Sequence, residues 1–188
     1  TLGISGRTAH VCAQPQTPVL HLPRAGPPSY HDLGQIVACP LWWLARRPLA
    51  VQESVHRIEE AALRTLRRAG VTGHRVAGAP GVYVRLDDPF GHALLPQRPL
   101  RRPPGSVRPR PDFNGLGRIA QVSLRLSHHW AWGMLTVNVA MDLAPFSLID
   151  PPDPQPVAVD LATLGIVASP QAIAAQLALE LERQLLPG

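Results

Sequence analysis

One amphipathic stretch limits the architectures open to this chain. Between Leu49 and Ala69, the residues Val51, Val55, Ile58, Ala62 and Leu66 recur at helical spacing, while Arg57, Glu60, Arg64, Arg67 and Arg68 fall on the other side. Gly70 ends the pattern. A helix with one apolar face must bury that face against another element. Neighbouring segments offer strands. Pro18–Leu22 reads as a short strand, Ile36–Leu44 as a buried one, and Val82–Leu86 as another short one. Ile119–Leu126 and Trp132–Met141 read as two strands of a hairpin or meander, and Val157–Leu161 leads into a turn. Ser169-Pro170 then opens a last helix, with a hydroxyl cap, proline at the first helical position, and a stripe of Ile173, Leu177, Leu181 and Leu185.

Composition sets the outer bounds. A chain of 188 residues with 45% hydrophobic content suits a single domain spanning 1–188. Mean hydropathy is +0.02, and no apolar run approaches the roughly 18 residues a membrane span needs. The opening TLGISGRT lacks a basic and then apolar leader, so no signal peptide is expected and a cytoplasmic location is. Two cysteines make no disulfide framework, and no Cys/His spacing suits a metal, so neither metal nor cofactor is expected. All 18 basic residues are arginine, so mechanisms that need a lysine amine are excluded. Residues at about 87–117 hold seven prolines and five arginines and read as an extended insertion. That arm suits acidic partners such as carrier proteins; no aromatic residue interleaves its arginines, which argues against nucleic acid.

Several segments fall in a recognisable order. Thr1-Leu2-Gly3 and Pro18-Val19 are followed by Arg24-Ala25-Gly26-Pro27-Pro28-Ser29-Tyr30-His31-Asp32-Leu33-Gly34-Gln35. Later come Ala79-Pro80-Gly81-Val82-Tyr83-Val84, Arg118-Ile119-Ala120, Asn138-Val139-Ala140-Met141-Asp142-Leu143, and Phe146-x-x-Ile149-x-Pro151. The ordered set resembles the lipoyl(octanoyl) transferase family, which moves an octanoyl chain from acyl carrier protein to a lipoyl-domain lysine. The resemblance implies an α/β (α+β) fold: a mixed β-sheet packed with helices, lipoate/biotin transferase-like. It also implies an acyl carrier protein or acyl-CoA donor. The family has a further strand and helix before the T-L-G segment, so either the chain shown is a truncated one or a protein partner completes that part of the sheet.

The departures from the family pattern decide the expected chemistry. The family pairs a nucleophilic cysteine in P-C-G with the lysine of K-I-A. Those positions here are Pro152, followed by Asp153, and Arg118, while a second family histidine aligns with Gly133. A thioester acyl-enzyme cannot form at Pro152. The expected activity is therefore an acyl transfer to an amine or hydroxyl without a cysteine intermediate, in a specialised biosynthetic pathway. The alternative is a catalytically inactive member that binds an acyl chain, a carrier protein or a partner enzyme. His31, Arg118 and Asp153 are the candidate catalytic residues: His31 as base or orienter, Arg118 as oxyanion stabiliser or donor clamp, and Asp153 as a new carboxylate. Arg24, Gly26, Tyr30, Asp32, Gly34, Gln35, Gly81, Asn138 and Asp142 are candidate substrate-binding residues, although Asn138 and Asp142 also suit holding loop backbone. Cys39, in the most apolar run, reads as an inert core thiol. Trp42, Trp43, Trp130 and Trp132 suit core packing or an acyl tunnel, and His128-His129 suits a hairpin turn rather than a metal pair.

Overall fold

The computed structural model describes residues 1–4, 6–11, 18–24, 26, 28–44, 49–92, 107, 109–150 and 155–186. In chain order the elements are β1 (Gln35–Ala38), β2 (Leu41–Trp43), α1 (Val51–Arg68), β3 (Gly73–Val76), β4 (Ala79–Arg85), β5 (Leu116–Ser127), β6 (Trp130–Asn138), β7 (Val157–Ala158) and α2 (Pro170–Leu185). The strands form one sheet in the order β1-β6-β5-β4-β3, with β2 also on β6 and β7 on β5. Only the β5–β7 pairing is parallel, so the sheet is mixed, as expected.

The centre is the β5–β6 hairpin, closed by His128-His129, with His128 at φ +48°. This is the turn the sequence predicts, and no cluster of metal-ligating residues occurs among the described residues. Alternation sorts the hairpin's side chains into two faces. Ala120, Val122 and Leu124 lie opposite Val137, Leu135 and Gly133 and belong to the core under the helices. Gln121 and Ser123, opposite Thr136 and Met134, belong to the other face. Ile58, Ala61, Ala62 and Leu66 of α1 and Leu177 of α2 are buried against the first face.

Both helix ends follow from local chemistry. Gly70 sits at φ +85° just past α1. Its N–H donates to Arg67 O at 3.0 Å and that of Val71 to Leu66 O at 2.9 Å, a left-handed cap that closes the last turn. At the start of α2, Ser169 Oγ accepts from Ala172 N at 3.4 Å and Pro170 stands at the first helical position. The predicted α2 stripe, Ile173, Leu177, Leu181 and Leu185, is buried throughout. In α1 the predicted stripe is buried from Val55 onward, whereas Val51 in the first turn is exposed.

Three sequence expectations are corrected and one strand is added. Pro18–Leu22 forms no strand; it meets the rest through a single parallel bridge of His21 with Leu2. Pro18 and Pro23 flank it without N–H donors, so no ladder extends there. Ile36–Leu44 is two strands, because Pro40 interrupts the ladder while its carbonyl still accepts from Gly133 N at 2.9 Å. Cys39 lies at that break and is exposed, not a core thiol. The short Gly73–Val76 strand, hairpinned to β4, was invisible in the hydrophobic pattern. Residues 93–106 and 108 of the arginine- and proline-rich stretch at 87–117 lie outside the described residues, and its last two, Leu116 and Gly117, belong to β5.

One buried ion pair joins α1 to the sheet. Glu59 is fully buried; its Oε1 accepts from Gly81 N at 3.0 Å and its Oε2 from Arg75 Nε at 3.2 Å. Ile58, beside it, has no exposed surface, and its Cδ1 lies 2.9 Å from where a Cβ on Gly133 would stand. Truncating Ile58→Ala is expected to cost about 2–5 kcal/mol through lost burial and the cavity left behind. Leu179→Ala, on the half-exposed side of α2, is expected to cost no more than about 0.5 kcal/mol. Urea denaturation of the two variants against the unaltered chain checks the contrast.

Candidate active site

The polar face of the β5–β6 hairpin is covered at one end by the segment Arg24–Gln35. Between them lies a small, shallow hollow walled by Arg24, Ser29, His31, Gln121, Ser123, Met134 and Thr136. Its floor comes from strand alternation, its roof from the loop. Ser29 Oγ donates to Gln121 Oε1 at 3.1 Å and fastens the two together.

His31 has a protein partner at each ring nitrogen. Nδ1 is 2.7 Å from Gln35 Oε1, and Nε2 is 2.9 Å from Thr1 Oγ1. Arg24, only 2% exposed, donates its Nε to Thr1 Oγ1 at 3.2 Å and an Nη to Thr1 O at 2.9 Å. Gln35 Nε2 donates to Asn138 Oδ1 at 2.8 Å, and Asn138 Nδ2 donates to Val159 O at 2.9 Å. Burial holds the imidazole below its ordinary value of 6.5; the Gln35 acceptor opposes that and the Arg24 charge adds to it. His31 is therefore neutral at pH 7, with a protonatable nitrogen, in the wall of a hollow. That is the state a general base requires.

The other candidates divide into three groups. Arg24, His31, Gln35 and Asn138 are joined by the hydrogen bonds above. Gly26, Gly34 and Gly81 have backbone reasons to be glycine. Gly34 (φ +82°) has no room for a Cβ, which would stand 1.8 Å from Ala140 O, and its own carbonyl accepts from Val139 and Ala140 N–H at 3.1 Å. Gly81 (φ +142°) would place a Cβ 2.6 Å from Ala120 O. Gly26 (φ +97°) brings its carbonyl against Gly3, where a Cβ would stand 2.3 Å away. Tyr30, Asp32 and Asp142 sit outside the hollow. Tyr30 packs edge-on to Phe146 at 5.5 Å and donates to Asp32 Oδ2. Burial and that carboxylate push the phenol up to about 12, while the phenol and the Leu33 N–H hold Asp32, an exposed group, below its usual value. Asp142 Oδ1 accepts from Ala144 N at 2.9 Å and caps a short turn at Ala144–Leu148.

Arg118 is not a wall of the hollow. It stands opposite Tyr83 on β4, and its Nη1 donates to Gln155 Oε1 at 2.8 Å. Gly117 and Arg118 also pair with Val157 and Ala158 of β7. Arg118 is thus tied to the residues that directly follow Asp153. Pro152 and Asp153 themselves lie outside the described residues. The chain just before them is fastened too: Asp150 N donates to His10 O at 2.8 Å, and Ile149 bridges to Val11. Burial lowers the guanidinium from its usual value, though Arg stays charged at neutral pH.

Trp42 is buried in the core, and Trp43 and Trp130 stack at 6.2 Å while both remain exposed. Gly133, where the resemblance sets a second histidine, faces the helices and packs near Ile58 and Pro40 rather than the hollow. The sequence reading missed Ser29, Gln121, Ser123, Thr136 and Asp160. Gln121, Ser123 and Thr136 were marked by polar residues alternating with the apolar core set on β5 and β6. Asp160 is 1% exposed and accepts from Met141 N at 2.9 Å and Thr163 N at 2.7 Å, bracing the loop after β6.

Comparisons with known proteins agree with this geometry. A family model described as the lipoyl protein ligase A/B catalytic domain matches residues 2–160. An octanoyltransferase of Verminephrobacter eiseniae is 50% identical over 167 residues, covering 88% of this chain and 72% of that protein. One from Albidiferax ferrireducens is 46% identical over 188 residues, covering 100% of this chain and 80% of that protein. A bipartite lipoate protein ligase from Thermoplasma acidophilum superposes with a TM-score of 0.60 at 13% identity, over 88% of this chain and 56% of that one. A lipoate-protein ligase A bound with ATP gives 0.59 at 15% identity, over 88% and 57%. The two ligases share the fold; this chain spans little more than half of each.

The lowered His31 value makes stability depend on pH in a fixed direction. Between the unfolded value of 6.5 and the depressed folded one, the unfolded chain binds a proton that the folded chain refuses. His31 thus contributes stability that is intact above 6.5 and is lost as pH falls toward the folded value. Denaturation midpoints measured from pH 8 to pH 5 are expected to fall more steeply for the unaltered chain than for His31→Asn. Parallel curves would show that the ring is not desolvated.

Proposed function

The chain belongs to the lipoyl protein ligase A/B catalytic-domain family, and from that premise we propose that it transfers an acyl chain from a carrier-protein or CoA thioester to an amine or hydroxyl without a cysteine intermediate. Its acyltransferase character rests on the family and its octanoyltransferase relatives. The direct route rests on Pro152 and Arg118 at the positions that the resemblance gives to cysteine and lysine. The observation that carries the reading is a neutral, half-buried His31 in the wall of the hollow, 2.9 Å from a hydroxyl at Nε2.

In this reading the attacking amine or hydroxyl takes the place of Thr1 Oγ1 at His31 Nε2, which takes its proton as it adds to the thioester carbonyl. The carbonyl oxygen becomes an oxyanion. Arg118, which does not wall the hollow, is the residue we assign to clamping the donor, since it cannot act as a base. Collapse of the adduct expels the thiolate, which takes the proton from the imidazolium, so His31 ends neutral. Asp153 stands two residues before Gln155, the partner of Arg118, in sequence and is the remaining candidate acid–base group. The acyl carrier protein or CoA donor, a single domain over 1–188 and a cytoplasmic site of action belong to the same proposal. No helix among the described residues is long and apolar enough to cross a membrane.

The test is an intact-mass time course with octanoyl-loaded acyl carrier protein, a lipoyl domain, and a panel of small amines and alcohols. The carrier is expected to lose its acyl group with no mass gain on this chain. His31→Ala is expected to slow that loss by about 10²-fold or more. The acid limb of kcat/KM is expected to inflect below 6.5, because burial depresses the base. A transient gain of one octanoyl group, abolished by Cys39→Ser, would replace direct transfer with a thioester on the exposed cysteine. A carrier that binds yet stays loaded would favour an acyl- or carrier-binding protein.

A further inference from the structure

We infer that Gln35 and Asn138 are positioning residues that, with the Val159 carbonyl, fix the proton of neutral His31 on Nδ1 and leave Nε2 as the acceptor, turned toward Thr1 Oγ1. The argument starts at the member whose role cannot change. A backbone carbonyl only accepts, so the Asn138 atom 2.9 Å from Val159 O must be its amide nitrogen. That turns Asn138 Oδ1 the other way, 2.8 Å from Gln35, and an oxygen there needs a donor. Gln35 therefore presents its NH2 group to Asn138 and its Oε1 to His31 Nδ1, 2.7 Å away. An amide oxygen accepts only, so Nδ1 carries the hydrogen. In the neutral ring Nε2 is then bare.

The far end is compatible with that arrangement. Thr1 Oγ1 already receives Arg24 Nε at 3.2 Å, so its own hydrogen is free to point at Nε2, 2.9 Å away. Asn138 and Gln35 each have one orientation that satisfies both neighbours, whereas the Thr1 hydroxyl can serve either tautomer. Asn138 is only 5% exposed, which leaves water little access to replace a broken link. The relay also gathers separate pieces of the fold: the loop at His31, the first residue of β1, the last of β6, and the residue after β7.

The consequence deepens the reading of His31 as the base and rests on it. Free histidine side chains favour the hydrogen on Nε2, which would present a donor to an attacking nucleophile. The relay selects the opposite form. When Nε2 takes a proton, the Nδ1–H bond to Gln35 stays as it is, so the ring reacts without reorienting. Gln35 and Asn138 reach the reacting atoms only through His31, which separates this role from substrate binding.

The test is long-range 1H–15N correlation of the uniformly 15N-labelled full chain at pH 8, with His31 assigned by its loss in His31→Asn. The expected pattern is a hydrogen on Nδ1. Gln35→Met removes the acceptor and is expected to populate the Nε2–H form. It should also lower kcat by about 10-fold or more, with a smaller change in KM, a loss short of removing the base itself. Asn138→Leu, which does not touch His31, is expected to move the tautomer the same way. Gln35→Glu keeps an acceptor for Nδ1–H, so the tautomer is expected to persist while the added charge raises the His31 titration and the acid limb of kcat/KM together. A hydrogen on Nε2 in the unaltered chain, or an unchanged tautomer in Gln35→Met, would overturn the inference. If the tautomers behave as expected while the octanoyl carrier stays loaded, the relay stands and the catalytic reading of His31 falls.

Discussion

Strand side chains must alternate between the two faces of a sheet, and the β5–β6 hairpin uses that constraint to build core and site from the same residues. Ala120, Val122, Leu135 and Val137 go beneath the helices; Gln121, Ser123, Met134 and Thr136 go to the hollow. A slip of one residue in this pairing would exchange the two sets. The register is held from both sides. Ile58 packs closely on Gly133, and Asn138 at the strand's end is bonded to Gln35 and Val159. The position of His31 over the polar face thus depends on how tightly α1 seats on the apolar one.

What was readable in the sequence follows the range of the interactions involved. Helices α1 and α2 and the β5–β6 pair were legible because periodicity, Gly70, Ser169 and Pro170 act locally. The ordered motifs located His31, Arg24, Gln35 and Asn138, and the structure joins these four by hydrogen bonds. The partner of each is not legible. Thr1 meets His31 across 30 residues and Gln35 meets Asn138 across 103, and no pattern in a single chain encodes such pairings. Ile36–Leu44 failed for the opposite reason. Its hydrophobicity is continuous, yet one missing N–H at Pro40 divides the ladder and leaves Cys39 exposed. Gly34 and Gly81 look like site residues in the motif, whereas their backbones show that close approach to Ala140 and Ala120 already demands glycine.

The all-arginine composition changes the electrostatics as well as the chemistry. Arg75 is 10% exposed and spans Glu59 and Glu60, using the fork of its guanidinium where an ammonium would meet one carboxylate. Glu180, at 2% side-chain exposure, is met by both Arg68 and Arg183 between the helices. Arg24 uses the same fork on Thr1, one arm on the hydroxyl and one on the carbonyl. Each is a fixed positive charge that holds its geometry through any pH at which the protein is folded. None of them can take or release a proton during a reaction.

That division of labour explains why the histidine's surroundings carry so much weight. A lysine near a thiol can lower its pKa and move protons; an arginine at the same place can only orient and stabilise charge. With arginine at 118, proton transfer in the proposed reaction falls to His31. Two opposed demands then meet at one ring. Burial must keep it neutral so that it can accept a proton, yet the imidazolium it becomes must be tolerated during the reaction. Gln35 reconciles them, since its uncharged oxygen supports Nδ1–H in both forms and favours the charged one without a carboxylate's full attraction. A carboxylate there would hold the ring protonated at lower acidity, and an apolar residue would leave its tautomer undetermined. An amide is the side chain that leaves His31 neutral, oriented and able to charge.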